Sequence, residues 1–291
     1  MGRTMMNVVV IEKERDNTHR KKSYMVYLMV LIVACILTIP TTVKGQGRYL
    51  GIWTQSFEKE RILVDATWTN FRNTRKELQN KLFRLVDIEI RQQGGTRSYS
   101  GIWHSGIDSC KLYIDLTWDK FKEKVNELED RGYKLIDLET YRQGNVRLFA
   151  GVWRVRKFKQ RIFAGLTLEK FKDLKEKLNA EGLRIVDLET YRSGNKRLYA
   201  GIFHEGKGAD DFWSNIDQQT FLTIREQLKI KDMALIDVET YVEGGKRRFL
   251  GVWRKKKQPN ILYLDQSWES FYSKWSELDR DNLRLIDLEL Y

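Results

Sequence analysis

Cysteine and proline each occur twice in the 291 residues, and histidine three times. Two cysteines exclude a disulfide-stapled scaffold and a cysteine-rich zinc module. Three histidines leave no basis for a multi-histidine metal site, so no cofactor is expected. Two prolines exclude a proline-rich linker or a collagen-like chain. No Asn-x-Ser/Thr acceptor is present, so an ordinary N-glycan is not expected. What is present is a basic chain rich in apolar side chains. Lys plus Arg is 52 against 40 acidic residues, a net charge of +12. Apolar residues make up 42% and aromatics 12%, enough to bury a core and to exclude disorder for most of the chain.

The apolar content is uneven. Residues 1–23 are polar and charged and end in a basic cluster, Arg20-Lys21-Lys22. Tyr24 to Ile39 carries no charge, and Pro40 and a run of small residues follow up to 45. A basic flank, an apolar stretch and small residues are the parts of a secretory signal, here with a cut before Gln46. A spanning helix needs about 20 residues, and the uncharged span from Ser23 to Val43 leaves an uncleaved signal-anchor as the second reading. Under either reading residues 46–291 are expected outside the cell, secreted or membrane-tethered. That fragment carries 45 basic and 37 acidic side chains and one cysteine, Cys110.

Residues 46–291 repeat with a period of 50. Gly51, Gly101, Gly151, Gly201 and Gly251 hold that step, as do Trp53, Trp103, Trp153, Phe203 and Trp253. Phe71, Phe121, Phe171, Phe221 and Phe271 form a third column. Asp87, Asp137, Asp187, Asp237 and Asp287 form a fourth, and Glu89, Glu139, Glu189, Glu239 and Glu289 a fifth. Five columns without an insertion define five units of one fold.

Within a unit, Lys134–Tyr141 and Arg147–Val155 alternate as strands around Gly144-Asn145. Glycine first in a two-residue loop suits a type II′ hairpin turn. That register places Ile136, Leu138, Phe149, Gly151 and Trp153 on one face. Asp137, Glu139 and Tyr141 share the other with Leu148, Ala150 and Val152. Arg161–Leu166 reads as a third strand. Thr67, Thr117, Thr167, Asp217 and Ser267 sit where a helix N-cap is wanted. Trp118, Phe121, Val125 and Leu128 then form one apolar stripe, and Gly132 and Gly182 suit left-handed caps. Counted from Gly47 the order is strand, strand, helix, strand. The final strand, Leu285–Tyr291, and the opening strand, Arg48–Trp53, each lack a hairpin partner. Pairing them closes a monomeric ring, whereas an open solenoid leaves apolar edges bare. The expected class is α+β, a closed five-unit toroid.

The run from the Gly132-Tyr133 entry through the strand ending at Tyr141 to Phe149–Trp153, with the helix carrying Phe121 or Phe171, resembles the bacterial tandem repeat domain. That repeat forms the non-catalytic N-terminal part of the polyglycine hydrolases. The resemblance covers Gly47 to Tyr291. It implies the repeat module without the enzyme, because those hydrolases keep their serine nucleophile in a separate β-lactamase-like domain for which this chain has no room. The unit order also resembles the pentein toroid in topology.

Several groups are candidates for function. The Trp/Phe column is either a sugar-stacking platform or core packing, and its recurrence in every unit favours packing. The Asp-x-Glu column is either an acidic, cation-binding ring or a strand face salted by Arg97, Arg147, Arg197 and Arg247, and the second is preferred. The loop after the Trp strand varies most. One copy holds Arg154, Arg156, Lys157, Lys159 and Arg161; another holds Arg254, Lys255, Lys256 and Lys257. Such basic loops suit an acidic glycan, an anionic surface or an acidic protein. Nucleic acid is not expected outside the cell. The expected function is a non-enzymatic binding or scaffold module. The alternative is a toroidal hydrolase or amidinotransferase using Cys110 and His104, near Asp108.

Overall fold

A computed structural model describes residues 47–93, 95–256 and 260–291. The signal or anchor segment of residues 24–45 and Lys257 lie outside the described residues. Among those described, no helix is long and apolar enough to cross a membrane.

In chain order the elements are β1 (Tyr49–Gln55), β2 (Glu60–Ala66), α1 (Trp68–Asn80), β3 (Phe83–Gln93) and β4 (Thr96–Ser105). Next come β5 (Cys110–Leu116), α2 (Trp118–Asp130), β6 (Tyr133–Gln143) and β7 (Val146–Val155). They are followed by β8 (Gln160–Leu166), α3 (Leu168–Ala180), β9 (Leu183–Ser193) and β10 (Lys196–Glu205). The fourth set is β11 (Asp210–Ile216), α4 (Gln218–Ile230), β12 (Met233–Glu243) and β13 (Lys246–Lys255). The last is β14 (Ile261–Gln266), α5 (Trp268–Arg280) and β15 (Leu283–Leu290).

The strands form five separate three-stranded antiparallel sheets, and no hydrogen-bonded barrel runs through them. In each sheet the Gly-Trp or Gly-Phe strand is central: β2-β4-β3, β5-β7-β6, β8-β10-β9, β11-β13-β12 and β14-β1-β15. The folding unit is therefore strand, helix, strand, strand, as in residues 110–155. Counting from Gly47 cuts across two sheets. One sheet is split between the chain's two ends. β1 pairs with β15 from Tyr49 opposite Leu290 to Gln55 opposite Leu283. Arg48 N–H donates to the Tyr291 carbonyl at 2.7 Å and Tyr291 N–H to that of Arg48 at 3.0 Å. β3, β6, β9, β12 and β15 each contact the next, and β15 contacts β3, so the order of contacts is cyclic.

Five cores fill the spaces between sheets. In one, Phe121, Val125 and Leu128 of α2 meet Leu135, Leu138, Phe149 and Trp153, and Ala200 and Ile202 arrive from the following sheet. The same exchange brings Tyr141, Leu148, Ala150 and Val152 into the core beneath α1. It brings Leu50 and Ile52 into that beneath α4, and Ile62 and Ile102 into that beneath α5. Each sheet thus buries both faces, which explains why its central strand is apolar on both sides.

The register differs from simple alternation at one place. Leu135 lies opposite Trp153 but Asp137 opposite Val152, so Ile136 is a β-bulge. Leu135, not Ile136, packs with Trp153, and Ile136 turns toward the preceding core. The other four sheets have the same bulge.

Local signals behave mostly as their chemistry requires. Thr67, Thr167, Asp217 and Ser267 accept N-cap hydrogen bonds, whereas Thr117 occupies the cap position without one. Gly144 and Gly194 have positive φ while Asn145 and Asn195 do not, the pattern of a II′ turn. Gly244 and Gly245 are both positive, the pattern of I′.

Candidate functional site

Edge strands β3, β6, β9, β12 and β15 face the centre, where their outer N–H groups have no ladder partner. The Asp column supplies acceptors. Ile88 N–H donates to Asp137 at 3.2 Å, Leu138 N–H to Asp187 at 2.8 Å, and Leu188 N–H to Asp237 at 3.0 Å. Thr240 N–H donates to Glu289 at 2.7 Å. Each carboxylate reaches into the preceding unit, so the column ties neighbouring sheets together.

Among the described residues none of the ten carboxylates forms an ion pair. The arginines expected to salt this face lie elsewhere. Arg97 pairs with Asp115 at 2.6 Å and Arg197 with Glu243 at 2.5 Å. Arg147 donates to the Arg192 carbonyl and Arg247 to Thr240 Oγ1. All four guanidiniums lie over the tyrosine of a neighbouring strand, Tyr141, Tyr191, Tyr241 and Tyr291. Arg side chains here are long enough to prefer the tyrosine face near solvent over the buried carboxylates. Burial, then mutual repulsion, holds Asp87, Asp287 and Glu239 well above the usual carboxylate range. Burial pushes Glu289 up to about 7, against its backbone hydrogen bonds. No group of three or more His, Cys, Asp or Glu among the described residues is arranged to hold a metal ion.

The Trp/Phe column is core. Trp53, Trp153, Phe203 and Trp253 are fully buried and Trp103 nearly so. Each of the four tryptophans lies across its glycine: a Cβ on Gly51 would sit 2.6 Å from the Trp53 ring, whereas one on Gly201 would meet the Asp187 carbonyl and the Phe163 ring. A sugar-stacking platform is excluded at these positions.

A second set of contacts between sheets depends on residues that differ from unit to unit. Leu135 N–H donates to Gln160 at 3.0 Å, and Ile185 N–H to Asp210 at 2.9 Å. His204 Nε2 lies 2.7 Å from the Leu135 carbonyl, and burial lowers the ring to about 4. Where the ends of the chain meet, His104 Nε2 lies 2.8 Å from the Leu285 carbonyl and 3.2 Å from Glu60, and its Nδ1 lies 3.2 Å from Glu58. Trp275 Nε1 donates to Glu60. Burial would lower His104, but hydrogen bonds to Glu58 and Glu60 outweigh it and raise the ring to about 9. Glu58 falls to about 2 beside His104 and Arg84. Sequence reasoning missed this set, because Glu60, Cys110, Gln160, Asp210 and Asn260 share a column without sharing a chemistry. The only available signal was a polar residue opening an otherwise apolar strand.

Cys110 and His104 are not brought together as a nucleophile and base. Both ring nitrogens of His104 face other groups, and the Cys110 thiol lies 3.6 Å from the Leu85 carbonyl. Burial raises the thiol, the opposite of what a reactive cysteine needs. Two Ser-x-x-Lys tetrapeptides, Ser56–Lys59 and Ser193–Lys196, fall in a loop and across a hairpin turn. A serine-lysine nucleophile needs both side chains on one helical turn.

Of the described basic residues expected in variable loops, only Arg156, Lys157, Lys159 and Lys256 lie in loops, whereas Arg154, Arg161, Arg254 and Lys255 stand at strand ends in β7, β8 and β13. These residues divide into two groups. Arg154 is buried and pairs with Asp108 at 2.6 Å, and Arg156 meets the same carboxylate at 2.9 Å. Burial lowers Arg254, and Lys255 pairs with Asp232 at 3.1 Å. Lys157, Lys159 and Arg161 are exposed and form no ion pair among the described residues. Lys256 is exposed and donates to Thr54 Oγ1 at 2.7 Å.

Taken together, repeated strand–helix–strand–strand units, sheets buried on both faces and a strand exchanged between the chain ends define a cyclically packed α+β repeat protein. Three segments, residues 109–155, 162–206 and 214–256, match the family described as polyglycine hydrolase-like, structural repeat. Over those three segments the chain is similar to that structural repeat. No curated protein matches the chain.

Proposed function

We propose that this chain is a non-enzymatic binding or scaffold protein, a closed monomeric five-unit toroid acting outside the cell. Its variable loops contact an anionic or glycan-bearing partner. The observation that carries this reading is the division of labour between constant and variable positions. Columns that recur in all units are used up in packing and in ties between sheets. In one copy the variable stretch also carries three exposed basic side chains, Lys157, Lys159 and Arg161, that form no ion pair among the described residues. Lys157, Lys159, Arg161 and Lys256 make the contact, while Arg154, Arg156, Arg254 and Lys255 brace the loops that carry them. The extracellular placement follows from the basic flank and apolar run of residues 20–39.

Heparin retention tests the reading. Retention should weaken steadily with salt and fall in a Lys157→Glu/Lys159→Glu/Arg161→Glu variant that melts like wild type. Retention unaffected by those substitutions overturns the assignment of the loop. A turnover activity abolished by Cys110→Ala or His104→Ala overturns the non-enzymatic reading.

A further inference from the structure

We propose a separate binding site for a small oxyanion at the opposite end of β7 from the variable loop. A cleft of about 90 Å³ lies between the β6–β7 and β9–β10 hairpin turns. It is lined by Arg142, Asn145, Arg147, Tyr191, Arg192 and Ser193, and no carboxylate lines it. Comparing units shows why it is open. Arg97 has three side-chain hydrogen-bond partners, Asp115 at 2.6 Å, Tyr99 at 3.2 Å and Gln143 at 3.3 Å. Arg197, one unit beyond Arg147, donates twice to Glu243, at 2.9 and 2.5 Å. For Arg147 none of the three is available: Phe149 stands in place of the tyrosine, and the other two positions are truncated. Gly165 stands where Arg97 finds Asp115, and Ser193 stands where the other arginines find Gln143 and Glu243. Arg147 is left over the Tyr191 ring at 4.5 Å, with a 3.4 Å hydrogen bond to the Arg192 carbonyl.

The cleft therefore lies where the next unit places Glu243, with Ser193 in its lining, and Gly165, outside the lining, removes the second carboxylate from the arginine. Its guanidinium is already oriented by stacking, and two more arginines flank it. Arg142 Nη2 reaches only the Asn145 carbonyl at 3.5 Å. Arg192 shares its charge with Glu243 at 3.1 Å. Planar guanidinium groups offer paired N–H donors that match a carboxylate, sulfate or phosphate group. The site takes one such group, free or carried on a larger ligand.

Gly165→Asp is the discriminating variant. Asp65, Asp115 and Asp265 occupy the equivalent position at φ between 49° and 60°, and Gly165 has φ 78°. A Cβ there meets only the Tyr191 hydroxyl, at 3.9 Å. The substitution supplies the internal carboxylate that the other units have. Titration calorimetry of the full-length protein with phosphate, sulfate and acetate, each against chloride at equal ionic strength, reads the result. At least one oxyanion should bind saturably to one site. Its affinity should fall about tenfold or more in Gly165→Asp and in Arg147→Gln. Arg97→Gln and the Lys157/Lys159/Arg161 variant should bind as wild type, which separates this site from the variable loop. The oxyanion that binds most tightly identifies the ligand class. No saturable binding, or equal affinity in Gly165→Asp variants of unchanged melting temperature, overturns the proposal.

Discussion

Trp53 tests whether the chain ends are held as firmly as any other part of the molecule. It sits in β1, whose sheet partners lie at the far end of the chain, while Trp153 sits in a sheet that is contiguous in sequence. Their surroundings match closely. Trp53 lies 5.3 Å from Phe271 and 5.8 Å from Tyr263, and Trp153 lies 5.3 Å from Phe121 and 5.8 Å from Tyr113. Both indoles are fully buried. Truncation to alanine should therefore cost the same at both sites, about 3–5 kcal/mol. The alternative outcome is that β1 peels away and spares the rest. Tyr49, Leu50, Ile52 and Trp53 are all buried, and each contributes about 1.5–3 kcal/mol, so peeling forfeits about 6–12 kcal/mol. Docked β1 remains favoured even after Trp53 is lost. Equilibrium denaturation with guanidinium should show matching shifts in midpoint with an unchanged slope. A cost below about 1 kcal/mol for Trp53→Ala, with the full cost for Trp153→Ala, would falsify the closure.

Stability should fall as pH rises from 5 to 9. Glu289 ionises near 4.5 when unfolded but near 7 when folded, so the folded state holds the extra proton between those values. Stability drops across that window by about 3 kcal/mol. The other raised carboxylates of the column act in the same direction, and His204, lowered from 6.5 to about 4, opposes them only below pH 6.5. His104 moves from 6.5 to about 9, so its contribution is complete below pH 6.5 and is lost as pH rises through 9. Glu58 acts only below 4.5, where its lowered value places it. Thermal melts at pH 5, 7 and 9 check the sign, and Glu289→Gln should flatten the lower half of the curve; stability rising between pH 5 and 8 refutes it. Leu82→Gly should stabilise by up to about 1 kcal/mol, because Leu82 has φ 60° where Gly132 and Gly182 cap other helices. An unchanged or lower melting temperature counts against strain at that residue.

The repeat, its hairpins, its helix and its N-caps were legible because they depend on local chemistry. Thr167 caps α3 through the amide three residues on, and the apolar stripe of α2 is one helical face. Pairing of the two chain ends followed from strands that each lacked a neighbour. The bulge at Ile136 was not legible, since Leu135, Ile136 and Leu138 are interchangeable to a hydrophobicity pattern. Arg97, Arg147, Arg197 and Arg247 were misread for a related reason. Their charge suggested carboxylate partners nearby in the repeat, whereas burial keeps that carboxylate column out of their reach and tyrosine faces lie closer.

Sequence by itself determined five copies of one α+β unit, because periodic glycines, aromatics and caps act over a few residues. Tertiary structure alone decided which residues meet between units. It placed Asp137 on Ile88, Gln160 on Leu135 and His104 on Leu285, and it left Arg147 facing a cleft lined by Ser193. Those meetings depend on how one sheet stacks on the next, a geometry set by the packing of whole faces and written in no single stretch of chain.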